Sequence, residues 1–157
     1  MSGSTATAHD VFVYGSSIDP DVIRILLDRV PEAISSVLPG FHRFRIKGRL
    51  HPGLAPVDTG KVVGKVLKGL TDDEVKILDL LKGPDYERKM VEVELTDTSE
   101  KLQAESYVWA KKDDPDLYGE WDFEEWKLLH KDQFVMAVKS FNVWKKDPEE
   151  KTEVGFI

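Results

Sequence analysis

Val11-Phe12-Val13-Tyr14-Gly15-Ser16-Ser17-Ile18-Asp19-Pro20 carries the decision about the fold. Four apolar residues ended by a glycine read as a buried first strand. Asp19 then offers a side-chain acceptor to the free amides of a helix start, and Pro20 suits the first helical position because it has no amide to satisfy. The helix turns Val22, Ile23, Leu26, Leu27 and Val30 inward and stops at Pro31. The order is strand, glycine, two serines, helix.

Working outward, residues 34–50 are strand-like with a break at Pro39-Gly40. Phe44 and Ile46 alternate there with Arg43, Arg45, Lys47 and Arg49, which places the four cations on one face, read as a solvated strand face. His51-Pro52-Gly53 begins a loop expected to last to Gly60. Residues 62–70 form the next strand, with Gly64 and Gly69 marking close backbone approach or a bulge. Thr71-Asp72-Asp73-Glu74 is a capping box with Leu70 and Val75 at staple positions, and the helix it opens buries Val75, Leu78 and Leu81 before Gly83-Pro84 ends it. Residues 86–95 and 104–110 form two strands around a polar turn, which predicts an antiparallel hairpin, with Tyr107 and Trp109 facing one way. After an Asp- and Pro-rich loop over 112–121, Asp122 caps a last helix with Glu125 as its expected capping partner. Phe123, Trp126, Leu129, Phe134, Val138 and Phe141 recur along it at helical spacing with one slip near His130.

About six mostly antiparallel strands and about three helices make an α+β domain, and the glycines are compatible with a curved, barrel-like sheet. The expected organisation is a flexible tail over 1–9, one domain over 10–146 and a fraying, charged tail over 147–157. At 157 residues the chain suits one domain. The net charge of -7 argues against nucleic acid as the main partner. Without cysteine there are no disulfides, thiolate zinc sites or thiol nucleophiles. His9, His42, His51 and His130 show no ligand spacing, so no metal is expected. No apolar run is long enough to span a bilayer and the first residues do not form a secretory signal, so a cytoplasmic protein is expected.

Chemistry is expected at the turn from Tyr14 through Gly15, Ser16, Ser17 and Ile18 to Asp19. A chain leaving a buried strand for a helix presents amides near the positive end of a helix dipole, an arrangement suited to a carboxylate or an oxyanion. An ordinary capped turn would look the same. Ser16 and Ser17 lack the flanking glycines of a nucleophile elbow. Trp109 and Trp121 are the aromatics considered for a pocket rim.

Val11-Phe12-Val13-Tyr14-Gly15-Ser16, Gly40-Phe41-His42-Arg43, Lys47-Gly48-Arg49-Leu50-His51-Pro52, Gly69-Leu70-Thr71-Asp72 and Tyr86-Glu87-Arg88-Lys89 occur in the order found in the gamma-glutamylcyclotransferase-like family. The stretch Tyr118-Gly119-Glu120-Trp121-Asp122-Phe123-Glu124-Glu125-Trp126 resembles its plant avirulence-induced branch, and the likeness covers about residues 9 to 145. It implies a small mixed barrel with flanking helices, no cofactor and a plant, defence-related setting. It also implies a small-molecule gamma-glutamyl-type ligand, held by residues 14–19 and Tyr86. The family reaction cyclises a gamma-glutamyl group to 5-oxoproline and frees an amine. The resemblance places the acid/base glutamate of that reaction in an L-D-x-x-E-G pattern; here the stretch is Leu78-Asp79-Leu80-Leu81-Lys82-Gly83, so Lys82 replaces it. Asp79, Asp85 and Glu87 are the carboxylates near enough in sequence to be considered as substitutes. The resemblance thus implies a cyclotransferase with its proton carrier replaced; the alternative is a non-catalytic binding or interaction module using the same pocket. Preferred compound, oligomeric state and pathway stay open.

Overall fold

The computed structural model describes residues 8–144. The tail expected over 147–157 lies outside them, as does most of the one expected over 1–9. Strands β1 (His9–Val13), β2 (Ala33–Ile46), β3 (Gly53–Leu70), β4 (Tyr86–Leu95), β5 (Lys101–Trp109) and β6 (Leu117–Tyr118) alternate with helices α1 (Pro20–Leu27), α2 (Asp72–Lys82), α3 (Phe123–Leu129) and α4 (Lys131–Trp144). A single 3-10 turn, Ser16–Ile18, separates β1 from α1.

Neighbouring strands run β3-β1-β5-β4-β2, and β2 pairs again with β3, so five strands close into a barrel with β6 added to the far end of β2. All pairings are antiparallel except β1 with β5, whose register matches Val11 to Glu105. The alternation of β1 explains its central place. Phe12 and Tyr14 join Leu38, Leu54, Val62, Val66 and Val93 inside the barrel, while Val11 and Val13 face the core that the helices cover. Gly64 permits the tight contact of β1 with β3: a Cβ there would lie 2.3 Å from the Val13 carbonyl oxygen. Among the described residues no helix is long and apolar enough to cross a membrane.

Several expectations are corrected. Residues 53–60 are not loop: Phe41, His42, Arg43 and Phe44 pair with Pro56, Ala55, Leu54 and Gly53, so β3 begins at Gly53. The long β2–β3 pairing satisfies backbone groups that a loop would leave to water. The residues around Pro39-Gly40 form a register shift within β2, not a strand end. Val30 is 42% exposed, because Asp28 takes a left-handed conformation (φ 60°) and ends α1 after Leu27. The basic face of β2 is not solvated: Arg43 and Arg45 are half-buried and partnered, while Lys47 and Arg49 lie beyond the strand. Asp122 caps α3 by accepting the amide of its expected partner Glu125 at 3.0 Å, but the bond is not returned, because the Glu125 carboxylate takes both arms of Arg45. The slip near His130 is a break between α3 and α4, which leaves Leu129 64% exposed and turns Phe134, Val138 and Phe141 inward. Of the two readings of Gly69 the bulge holds: it is a positive-φ position in open space within the register shift between β1 and β3. The loop over 112–121 contains the short β6.

The local signals elsewhere hold in detail. Asp19 caps α1 by accepting the Asp21 amide at 2.9 Å, with Pro20 next. Thr71 and Glu74 exchange both bonds of the capping box. Arg29 donates two arms to Glu74 at 2.7 Å, which ties the end of α1 to the start of α2.

Candidate functional site

β1 ends at one mouth of the barrel, where the chain turns through Gly15 into Ser16–Ile18. Gly15 sits against the ring of Pro52, where a Cβ would come within 3.0 Å of Cγ. The turn is held by Ile18 donating to the Gly15 carbonyl and Asp19 donating to that of Ser16, both at 3.0 Å. The amides of Ser16 and Ser17 meet no backbone acceptor among the described residues, as expected of the first donors in a helical turn. Arg43 braces the turn from β2 by donating to the Tyr14 carbonyl at 2.8 Å, with its guanidinium stacked 5.3 Å from the centre of the Trp121 ring.

Lys82, in the last turn of α2, arrives at the same place. Its cavity of about 10 Å³ is lined by Phe12, Val13, Tyr14, Gly15, Ser17, Leu78 and Tyr107. That is room for about one water molecule. The side chain is only 8% exposed, and its Nζ lies 4.9 Å from the ring centre of Tyr86, 5.5 Å from Tyr14 and 5.7 Å from Tyr107. Among the described residues it makes no ion pair or hydrogen bond. Burial lowers its pKa from 10.5 to about 8, because an ammonium loses its hydration there. Three ring faces return part of that loss through their negative quadrupoles.

The rings are held by their hydroxyls. Tyr14 donates to the Tyr107 carbonyl at 2.5 Å, and Tyr107 donates to Asp79 at 2.6 Å. Tyr86 donates to the Pro52 carbonyl at 2.7 Å and lies 2.5 Å from His51 Nδ1. A phenol has one proton, so with it on Pro52 the imidazole must donate from Nδ1. The Nε2 lone pair of His51 is then sealed without a partner. Burial foremost, then Lys82 and Arg49, pushes the His51 pKa down to about 3, so the ring is neutral. Burial likewise holds all three phenols protonated at neutral pH.

The structure brings Tyr14, Gly15, Ser17, Lys82 and Tyr86 together. Ser16 is buried beside them and Ile18 is half-buried at the rim of a second cavity. The Asp19 carboxylate faces away, committed to the cap of α1 and to Lys131 at 2.9 Å. None of the nearby carboxylates joins the cage. Asp79 binds Tyr107 and Arg88, Asp85 binds Arg49 at 2.8 Å, and Glu87 lies 3.6 Å from Lys89. Trp109 and Trp121 are buried supports: their indole N–H groups donate to Asp114 and to the Leu50 carbonyl. A larger cavity of about 320 Å³ adjoins the outer side of Tyr86 and Tyr107, lined also by Asp79, Leu80, Gly83, Pro84 and Arg88.

Sequence reasoning missed Tyr107, His51 and Arg43. Tyr107 was legible only as one face of a strand. His51 stood in a supposed loop, and the signal for Arg43, alternation with apolar residues, also fits a solvated face.

The family model described as "Gamma-glutamyl cyclotransferase, AIG2-like" matches residues 11–127. AIG2-like protein C of Arabidopsis thaliana is 60% identical over 151 residues, 96% of this chain and 88% of that protein. Protein AIG2 A of the same plant is 50% identical over 155 residues, 99% and 91% of the two chains. A solution structure from Arabidopsis thaliana superposes with a TM-score of 0.69 at 51% identity, covering 92% of this chain and 97% of that one. A solved gamma-glutamyl cyclotransferase superposes with a TM-score of 0.59 at 17% identity over 67% of this chain and 68% of its own, a likeness of fold.

Proposed function

Because the chain belongs to the AIG2-like gamma-glutamyl cyclotransferase family, we propose that its Tyr14–Asp19 turn takes a gamma-glutamyl-type compound and that the site turns it over slowly or not at all. The reaction in question is an intramolecular acyl transfer. The α-amine of the glutamyl group attacks its own γ-carbonyl, so the reacting atoms are already tethered and proximity supplies much of the rate. What the protein must add is a place for the oxyanion and a group that takes a proton from the ammonium and returns it to the leaving amine. The amides of Ser16 and Ser17 suit the first task.

One observation carries the limit on the second: the side chain beside the turn is Lys82, and no carboxylate lines its cavity. With a pKa of about 8, roughly one lysine in ten is neutral at pH 7, so the base is mostly in the wrong form. Its ammonium would also oppose the substrate's own. Two such charges 4 Å apart repel by about 4 kcal/mol at an effective dielectric of about 20, where a glutamate would attract. The Lys82 side chain moreover fills the space next to the turn.

The decisive measurement is 5-oxoproline formation from gamma-glutamyl dipeptides by the parent and by Lys82→Glu. The parent is expected to show little turnover and the variant at least about 100-fold more, the usual worth of a positioned acid/base group. A folded variant with no gain would sink the assignment of Lys82 as the missing proton carrier. The second reading is a binding module without chemistry, favoured by the lack of a carboxylate in the cage. Calorimetric binding of a gamma-glutamyl dipeptide to a parent that releases no 5-oxoproline would support it.

A further inference from the structure

We propose that Lys82 is a covalent site for small aldehydes, which condense with its Nζ inside the tyrosine cage to form an imine. The inference goes beyond gamma-glutamyl binding and rests on the cage alone. Lys82 Nζ is buried, has no anionic or hydrogen-bonding partner among the described residues, and still lines a cavity. That cavity contains no other amine, thiol or carboxylate; its polar lining is Tyr14, Gly15, Ser17 and Tyr107. Such a lysine has no structural ion pair to lose when it reacts.

The chemistry balances without a further reagent. The neutral Nζ lone pair attacks the aldehyde carbon, a C–N bond forms, and the carbonyl electron pair moves to oxygen, which takes a proton. The nitrogen gives up a proton, and water leaves as the C–O bond breaks and C=N forms. The sum is amine plus aldehyde to imine plus water, with no change of oxidation state. The protonated imine is again a cation at the same point, so the faces of Tyr14, Tyr86 and Tyr107 that surround the ammonium at 4.9–5.7 Å also favour the product. Burial supports the step by raising the neutral fraction: a pKa of about 8 in place of 10.5 gives roughly 300-fold more free amine at pH 7. The cavity of about 10 Å³, room for about one water molecule, sets the size class, namely the one-carbon aldehyde formaldehyde and not aromatic aldehydes.

The test treats the full chain with formaldehyde and cyanoborohydride, which reduces the imine to a stable methylamine, and maps modified lysines by peptide mass spectrometry from pH 6 to 10. The exposed Lys47 and Lys61 are internal references. Lys82 is expected to be modified at least about 10-fold faster than either at pH 7. Its rate should level off above about pH 8. With benzaldehyde the preference should vanish, because the ring does not fit the cage. Modification of Lys82 no faster than Lys47 and Lys61 would overturn the proposal, and so would an undiminished preference for benzaldehyde. Lys82→Met should lose this adduct alone; if that variant does not fold, the site map of the parent decides by itself. No step involves a gamma-glutamyl compound, so failure here leaves the 5-oxoproline reading untouched, and the converse holds.

Discussion

Lys82→Met removes the charge from the tyrosine cage while keeping a flexible apolar stem of similar length. Burial takes the Lys82 pKa from 10.5 to about 8, and each tenfold change in acidity is about 1.4 kcal/mol, so holding the proton in the folded state costs about 3 kcal/mol. The variant is therefore expected to be more stable than the parent by about 3 kcal/mol at pH 7, or about 9 °C in Tm for a chain of this size. The sign with pH follows from proton counts. The folded pKa lies below the unfolded one, so below about pH 8 both states carry the proton and the parent bears the full penalty. Between about pH 8 and 10.5 the unfolded state binds more protons, and the parent gains stability relative to the variant as pH rises. The advantage of Lys82→Met should shrink across that window and be gone above it. Urea unfolding of both proteins from pH 7 to 10.5, with m-values compared, measures this directly. A variant less stable than the parent at pH 7, or an advantage that does not change up to pH 10.5, would refute the reasoning.

Gly64→Ala should cost about 3 kcal/mol, because the new methyl would meet the Val13 carbonyl oxygen at 2.3 Å and the Phe12 ring at 2.7 Å, and neither the strand nor the packed ring can retreat. An unchanged Tm would contradict the close β1–β3 contact. Two histidines should tilt the pH profile in opposite directions. Glu105 and then Asp72 raise the His9 pKa above 6.5, so its contribution is complete below pH 6.5 and lost as pH rises through the folded value. The stability difference between the parent and His9→Asn should therefore narrow toward alkaline pH. His51 is held at about 3, so the folded state resists its protonation and loses stability as pH falls from 6.5 toward 3. His51→Asn should flatten the acid limb of the denaturation curve, and an unaltered limb would place the acid sensitivity elsewhere.

Much of the fold follows from local rules that leave marks at fixed spacing. Asp19-Pro20 and Thr71 to Glu74 are caps whose bonds form within three residues, so no distant partner could overrule them. The errors fall where a distant strand decides. Residues 53–60 have the glycines and prolines of a loop, and only pairing with residues 41–44 makes them strand. Val30 and Leu129 fit a helical period, but the backbone turns at Asp28 and His130 before each can be buried.

For the site, the sequence by itself determined that a glycine-serine turn joins the first strand to a capped helix, and that Lys82 lies in the last turn of the next helix, just ahead of Tyr86. These are properties of neighbouring residues. Only the tertiary structure decided that Lys82 points at that turn, that Tyr107 completes the cage with Tyr14 and Tyr86, and that Asp79, Asp85 and Glu87 each find another partner. Closure of the barrel sets β1, β4 and β5 around the end of α2, and burial by elements far apart in sequence sets the acidity of the lysine. Desolvation depends on what surrounds a group in space, and nothing in the residues adjacent to Lys82 records it.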